Sequence, residues 1–175
     1  MPSITLPGPI AVIDVETTGL FPCRHDRVVE VAAVVLDADG RQVREFVSLV
    51  NPRRDIGPTS VHGLSARDIA GAPEFGEIAG LLVETLSGSV AVAGHNVWFD
   101  LSFMRSEFSR IGYPMPECPT LCTMCLAGGR SLTECCAAYG ISFDGETHSA
   151  LADVRAAGLL RVACPRRSRD SERCN

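Results

Sequence analysis

The chain has 175 residues, of which 46% are hydrophobic, and a formal net charge of −5. These values fit one folded domain and exclude a disordered chain. With no run of about 18 apolar residues and no basic leader at the N-terminus, we expect a cytoplasmic protein that has no membrane partner.

The first part of the chain predicts three strands in succession. Residues 10–16, IAVIDVE, form a short apolar run bounded by Pro9 and Gly19, which is typical of a strand covered on both faces. Residues 27–52 predict two further strands joined by a tight turn at Asp39-Gly40.

Helical signals begin after this meander. Ser65 and Asp68 have the spacing of a capping box and predict a short helix. Apolar residues at helical spacing predict a second helix that ends at Gly88: Phe75, Ile78, Leu81, Leu82 and Leu86. Residues 89–94 predict a strand, and residues 96–112 predict a third helix.

The last third of the sequence is also helical in pattern. Residues 120–129 predict a brief helix, and residues 131–140 predict another with Ser131 and Glu134 as its capping box. A final helix over residues 149–164 must end at Pro165. We therefore expect one α/β domain with a mixed sheet over residues 1–164, and a charged tail or linker over residues 165–175.

Two acids interrupt the first predicted strand. Side chains alternate along a strand, so Asp14 and Glu16 share a face and lie roughly 6–7 Å apart. Two carboxylates beside a core repel each other and lose hydration, which requires a positive partner. That partner is either an arginine near in sequence, Arg24 or Arg27, or a divalent cation.

Three further residues have positions that fit such a site. Asp100 falls in the first turns of a helix that directly follows a strand, where it either helps form a ligand site or complements the helix dipole. His148 precedes Asp153 by five residues. The two converge more easily if His148 lies in a loop and the helix begins at about Ser149, since five helical residues correspond to about 140° of rotation.

The order of these residues resembles the DEDDh 3′–5′ exonucleases, the family of replicative proofreading subunits and ribonuclease T. The segments DVETTGL, GHNVWFDLSFM and HSALADV look like the three motifs of that family, and the resemblance extends over residues 10–163. It implies a ribonuclease H-like fold with a five-stranded mixed sheet flanked by helices. The second strand is then expected to run antiparallel to the others.

The resemblance also implies a metal-dependent 3′–5′ exonuclease. Two Mg²⁺ or Mn²⁺ ions, which prefer hard oxygen ligands, are expected on the four carboxylates, with Asp14 bridging them and Glu16, Asp100 and Asp153 completing the set. His148 is expected to be the general base that takes a proton from water. The products would be nucleoside 5′-monophosphates.

Substrate contacts are expected where the sequence matches further family positions: Thr17, Thr18, Gly19, Leu20, His62 and Asn96. Local hydrogen bonding in a turn is the alternative for His62, and it is the favoured interpretation for His95.

The expected partner is the 3′ end of single-stranded DNA, in proofreading or repair. A net charge of −5 is unfavourable for gripping a long nucleic acid, which makes recruitment by a DNA polymerase or a fused domain a reasonable expectation. RNA is the alternative substrate, because the sequence does not show whether a 2′-hydroxyl is accommodated. A more distant alternative is a non-catalytic module that binds nucleic acid or a polymerase.

Overall fold

A computed structural model describes residues 8–142 and 149–163 of the chain. His148 lies outside these residues, as does the tail over 165–175, so the domain boundary at residue 164 and the role of the tail stay predictions.

The centre of the fold is a five-stranded mixed sheet. Its strands are β1 (Ile10–Thr17), β2 (Val28–Leu36), β3 (Gln42–Leu49), β4 (Ala91–Gly94) and β5 (Thr120–Cys122). They lie in the order β3-β2-β1-β4-β5. β2 is antiparallel to β1 and β3, while β1, β4 and β5 are mutually parallel. The expected five strands, with the second antiparallel to the rest, are confirmed.

Seven α-helices occur in the described parts of the chain. They are α1 (Thr59–His62), α2 (Ala66–Ile69), α3 (Phe75–Leu86), α4 (Val97–Arg110), α5 (Thr123–Leu126), α6 (Leu132–Tyr139) and α7 (Ala150–Ala163). Capping boxes are present at Ser65 and Ser131, where the sequence predicts them. Over the described residues, no helix combines the length and apolar character needed to cross a bilayer.

The alternation of β1 divides the core into two layers. Its odd-numbered residues, such as Ala11 and Ile13, pack in a cluster with α3 and α4. Its even-numbered residues Ile10 and Val12 pack on the other face, in a cluster with Ala150 and other residues of α7. The sheet is therefore covered on both faces, as the continuous apolar run predicts.

One detail of the prediction is wrong. Residues 120–122 form β5 rather than helix, because Thr120 pairs with Val92 of β4 and the helix begins only at Thr123. The helix predicted from the apolar residues between Phe75 and Leu86 is present as α3; Leu81 lies on its outer side and is 58% exposed, whereas Ile78 and Leu82 pack in the core. Neither α1 nor the short 3₁₀ turn at Pro22–Arg24 was predicted.

Candidate active site

Three carboxylates meet where β1 passes the start of α7. Asp14 and Glu16 continue the even-numbered stripe of β1 that packs against α7, and Asp153 lies in the first turn of that helix. Each of the three offers a carboxylate oxygen, and these oxygens lie within 4.8 Å of one another. The predicted pairing of Asp14 with Glu16 on one face of the strand thus extends to the acid from the last helix.

The fourth acid reaches the same strand from the opposite layer. Asp100 lies in the first turn of α4, directly after β4, and its side chain is only 2% exposed. Its Oδ1 accepts a hydrogen bond of 3.1 Å from the backbone N–H of Val15. That N–H lies between Asp14 and Glu16 in sequence, so this bond ties α4 to the acidic part of β1.

Burial and mutual repulsion weaken the acidity of these groups. Burial, followed by the charge of Asp153, raises the pKa of Glu16 to about 8. Burial raises the pKa of Asp100 to about 7, although the hydrogen bond from Val15 opposes the shift. Burial and the charge of Asp100 raise the pKa of Asp14 well above its usual range. Clustered acids with raised pKa values are a signature of a functional site rather than of a stabilising one.

The metal-free protein should lose stability as the pH rises from about 5 to about 8. Burial raises the pKa of Glu16 to about 8 in the folded chain, whereas its pKa is about 4.3 in the unfolded chain. Between these values the folded chain retains a proton that the unfolded chain has released, so the free energy of unfolding falls with pH. Melting temperatures measured in EDTA across this range should show the decline, with a shallower slope for Glu16→Gln. Equal slopes for both proteins would contradict the assignment.

The arginines proposed as partners of the acids have other contacts. The guanidinium of Arg27 donates to Glu107 through Nε at 2.6 Å and Nη2 at 2.8 Å. Arg24 stacks over the ring of Phe21. Neither contact involves Asp14 or Glu16, which leaves the cation as the interpretation consistent with the geometry.

A fifth acid near the cluster was missed by the sequence prediction. Glu30 of β2 lies directly opposite Glu16 in the antiparallel register, and its side chain is mostly buried. A glutamate within the apolar segment VVEVAAVV was the available signal. The register that places it opposite Glu16 cannot be read from that segment alone.

The last residue of β1 and the turn after it contain four of the predicted substrate contacts. The hydroxyl of Thr17 donates to the carbonyl oxygen of Gly19 at 2.6 Å. The hydroxyl of Thr18 accepts from the backbone N–H of Arg27 and contacts Asp26. Leu20 is 68% exposed. The turn is thus held by internal hydrogen bonds and presents an apolar side chain to solvent.

Asp26 fills the space beside Gly19. Its Oδ2 accepts from the backbone N–H of Phe21 at 3.0 Å, and a Cβ added at Gly19 would lie 2.4 Å from the same oxygen. A side chain at this position would have to displace the Asp26 carboxylate from its contact with Phe21, which glycine avoids.

The remaining predicted contacts differ in accessibility. Asn96 is exposed and precedes α4 in a left-handed conformation. His62 is only 4% exposed; its Nδ1 accepts from the backbone N–H of Leu64, and its Nε2 bonds the carbonyl oxygen of Ile56. His95 bonds Thr123 and the backbone of Arg130. His62 thus has the local hydrogen bonding considered as the alternative. The partners of His95 instead lie 28 and 35 residues away in sequence, so the prediction of local bonding in a turn is wrong for His95.

Substituting Gly57 with alanine should disturb the same turn. Gly57 has φ +78°, and a Cβ there would lie 2.1 Å from the carbonyl oxygen of Thr18. We expect a loss of about 2 kcal/mol or more in the free energy of unfolding, and a higher KM for a nucleic-acid substrate. Urea denaturation and steady-state kinetics measure the two effects.

Gly63→Ala is the matched control for that substitution. Gly63 also has a positive φ, +71°, but a Cβ there meets nothing within 4 Å. Only the left-handed strain of about 1 kcal/mol remains, and KM should not change. Equal effects of the two substitutions would show that contact with Thr18 is unimportant.

A solved structure supports the fold. The chain of E. coli exonuclease I in a zinc-bound complex with single-stranded DNA superposes with a TM-score of 0.74 at 20% identity, covering 89% of this chain and 40% of that one. At this identity the likeness shows the fold alone, and it confirms the expected ribonuclease H-like architecture.

Sequence relatives extend over most of this chain. A DNA polymerase III subunit epsilon-like protein of Rhodobacter capsulatus is 39% identical over 82% of the chain and 22% of its own length. The 3′–5′ exonuclease DinG of Bacillus subtilis is 32% identical over 85% of the chain and 17% of its own length. The chain thus spans about a fifth of the length of these relatives. The RNase_T exonuclease family model matches residues 11–160. This match confirms the resemblance drawn from the motifs, and the chain belongs to the RNase_T exonuclease family.

Proposed function

We propose that this chain is a metal-dependent 3′–5′ exonuclease that shortens single-stranded DNA and releases nucleoside 5′-monophosphates. The observation that carries the proposal is the convergence of the Asp14, Glu16 and Asp153 carboxylates within 4.8 Å. Relatives named as a 3′–5′ exonuclease and as an epsilon-like DNA polymerase III protein support this polarity and DNA as the substrate.

The donor set fits two Mg²⁺ or Mn²⁺ ions. Its members are carboxylates, which are hard anionic ligands of the kind these ions prefer. Burial, together with repulsion between the acids, raises the pKa of Glu16 to about 8, and a bound cation relieves that repulsion. Such ions, when bound, activate a water and stabilise negative charge on the leaving 3′ oxygen. We propose Asp14 as the ligand shared by both ions, with Glu16, Asp100 and Asp153 as the others.

The water that attacks the phosphodiester must lose a proton, and we propose His148 as the acceptor. The proposal rests on the match of HSALADV to the family motif, since His148 lies outside the described residues. In sequence it is two positions before α7, whose first turn contains Asp153. An imidazole with an ordinary pKa of about 6.5 is suited to this task near neutral pH.

We further propose that the turn from Thr17 to Leu20 contacts the terminal nucleotide. The turn directly follows the acids of β1, and the exposed side chain of Leu20 offers an apolar surface to a base or sugar. Asn96 is exposed at the start of α4, where a polar contact with substrate is feasible. A contact of substrate with His62 stays a prediction, and the burial of that ring does not favour it.

Recruitment to DNA by a polymerase or by further domains is part of the proposal. The net charge of −5 gives the chain little general attraction for a polyanion. Its relatives are several times longer, and one is named for a polymerase III subunit. We also propose that the chain acts in proofreading or repair and that it is located in the cytoplasm.

A cleavage assay tests the proposal. DNA and RNA oligonucleotides labelled at the 5′ end are incubated with the protein in Mg²⁺, Mn²⁺ or EDTA, beside Asp14→Ala and His148→Ala. We expect metal-dependent shortening of DNA from the 3′ end, lost in both variants. Faster shortening of RNA would identify an exoribonuclease instead. If the unmutated protein cleaves neither polymer, the non-catalytic alternative replaces the enzyme.

A further inference from the structure

Glu30 forms a hydrogen bond that joins the sheet to the start of α7. Its Oε2 accepts from the backbone N–H of Ala150, the first residue of that helix, at 3.1 Å. The first N–H groups of a helix have no partner within the helix, and a carboxylate there also complements the helix dipole. Glu30 therefore acts as a cap provided by a distant strand, 120 residues away in sequence.

This cap lies less than one helical turn from a member of the acidic cluster. Asp153 follows Ala150 by three residues, and its backbone N–H bonds the carbonyl oxygen of Ser149 at 3.1 Å. The packing of Ala150 and Val154 in the core brings α7 close to the sheet. The bond from Ala150 to Glu30 adds a directional contact to this apolar packing at the first turn of α7.

We propose that Glu30 is a positioning residue, whose bond to Ala150 fixes the first turn of α7 and thereby keeps Asp153 within reach of Asp14 and Glu16. This inference rests on the proposed function. Glu30 acts through the helix: among the described residues, the group with metal-ligand geometry is Asp14, Glu16 and Asp153. The carboxylate of Glu30 is instead engaged with Ala150.

Two conservative variants separate positioning from a requirement for charge. Glu30→Gln has the same length and retains a side-chain oxygen that can accept from Ala150, but it has no charge. Glu30→Asp retains the charge but is one methylene shorter, so it does not reach Ala150. If Glu30 is a positioning residue, Glu30→Gln must have a higher kcat than Glu30→Asp. If Glu30 binds metal directly, Glu30→Asp must have the higher kcat.

We expect Glu30→Gln to retain kcat within about threefold of the unmutated protein. Glu30→Asp should lower kcat by about 10–100-fold, the range typical of residues that orient metal ligands. The Mn²⁺ concentration for half-maximal rate should rise by a similar factor. KM for the oligonucleotide should stay within about threefold, because the hydrogen bonds described for the Thr17–Leu20 turn are made with Asp26, Arg27 and the turn itself. Glu45→Gln is the control, since Glu45 also contacts α7, through Arg155, but at an exposed site.

A second measurement needs no catalysis. Hydrogen exchange of the Ala150 amide in the metal-free protein should be slow in the unmutated chain and in Glu30→Gln, and faster in Glu30→Asp. If Glu30→Asp equals or exceeds Glu30→Gln in kcat, Glu30 is not a positioning residue. If the unmutated protein neither cleaves DNA nor binds Mn²⁺, the proposed function fails. If the Ala150 amide exchanges at the same rate in all three proteins, the hydrogen bond from Ala150 to Glu30 does not cap α7.

Discussion

Replacing Asp14 with asparagine should abolish cleavage of DNA and, at the same time, make the metal-free protein more stable at pH 8. Burial and four neighbouring acids oppose ionisation of this side chain, and asparagine has nearly the same shape without the charge. We expect cleavage to fall by roughly 10³-fold or more, as for loss of a central catalytic group. The melting temperature in EDTA should rise by about 3 °C, which corresponds to about 1 kcal/mol in a domain of this size.

Glu45→Gln controls for the loss of a carboxylate. Hydrogen bonds from Arg155 and Gln42 lower the pKa of Glu45, so its charge is favourable in the folded chain. This substitution should leave cleavage unchanged and stability equal or slightly lower, by less than about 1 kcal/mol. If Asp14→Asn instead destabilises the metal-free protein, the repulsion inferred for the cluster is absent.

Removing the guanidinium of Arg27 should be among the most destabilising single substitutions in the chain. Arg27→Ala leaves the Glu107 carboxylate, which is 1% exposed, without its guanidinium partner and with a longer hydrogen bond of 3.3 Å from the N–H of Val28. Breaking a buried pair in this way costs about 3–5 kcal/mol. Urea denaturation should show a lower midpoint with an unchanged slope.

Arg53→Ala is the matched control for Arg27→Ala. Arg53 binds Glu74 at 2.7 Å, close to the 2.6 Å of the buried pair, but the Arg53 and Glu74 side chains are both largely exposed. Its loss should cost less than about 1 kcal/mol. Where Arg27→Ala remains folded, Mn²⁺ should still raise its melting temperature, because Arg27 does not neutralise the acidic cluster. Loss of that response would show that Arg27 takes part in the acidic site.

Local signals predicted the elements that depend on local chemistry. The Ser65 and Ser131 capping boxes mark α2 and α6 correctly, because cap and helix lie within four residues. The Asp39-Gly40 turn correctly joins β2 to β3. β5 escaped prediction since three residues show no alternation, and its strand character comes from pairing with β4.

The candidate site also combines features that local sequence predicts with features that depend on long-range contacts. Asp14 and Glu16 were predicted to share a face because strand alternation is local, and they do. Their proximity to Asp100 and Asp153 was expected from the positions of those acids at the starts of helices and from the family resemblance. Glu30 and the Arg27–Glu107 pair were missed because each depends on contacts made across 80 or more residues of sequence. Such partners are determined by register and helix packing, which a single sequence does not reveal.

Metal binding tests the central claim, that the acids of β1, α4 and α7 form a cation site, most directly. Mn²⁺ is titrated by calorimetry into the protein together with a nucleoside 5′-monophosphate, and into Asp14→Asn under the same conditions. We expect about two ions per unmutated chain, as in two-metal phosphodiester hydrolysis, and strongly weakened binding in Asp14→Asn. Absence of Mn²⁺ binding by the unmutated chain, or equal binding by both proteins, would contradict the claim.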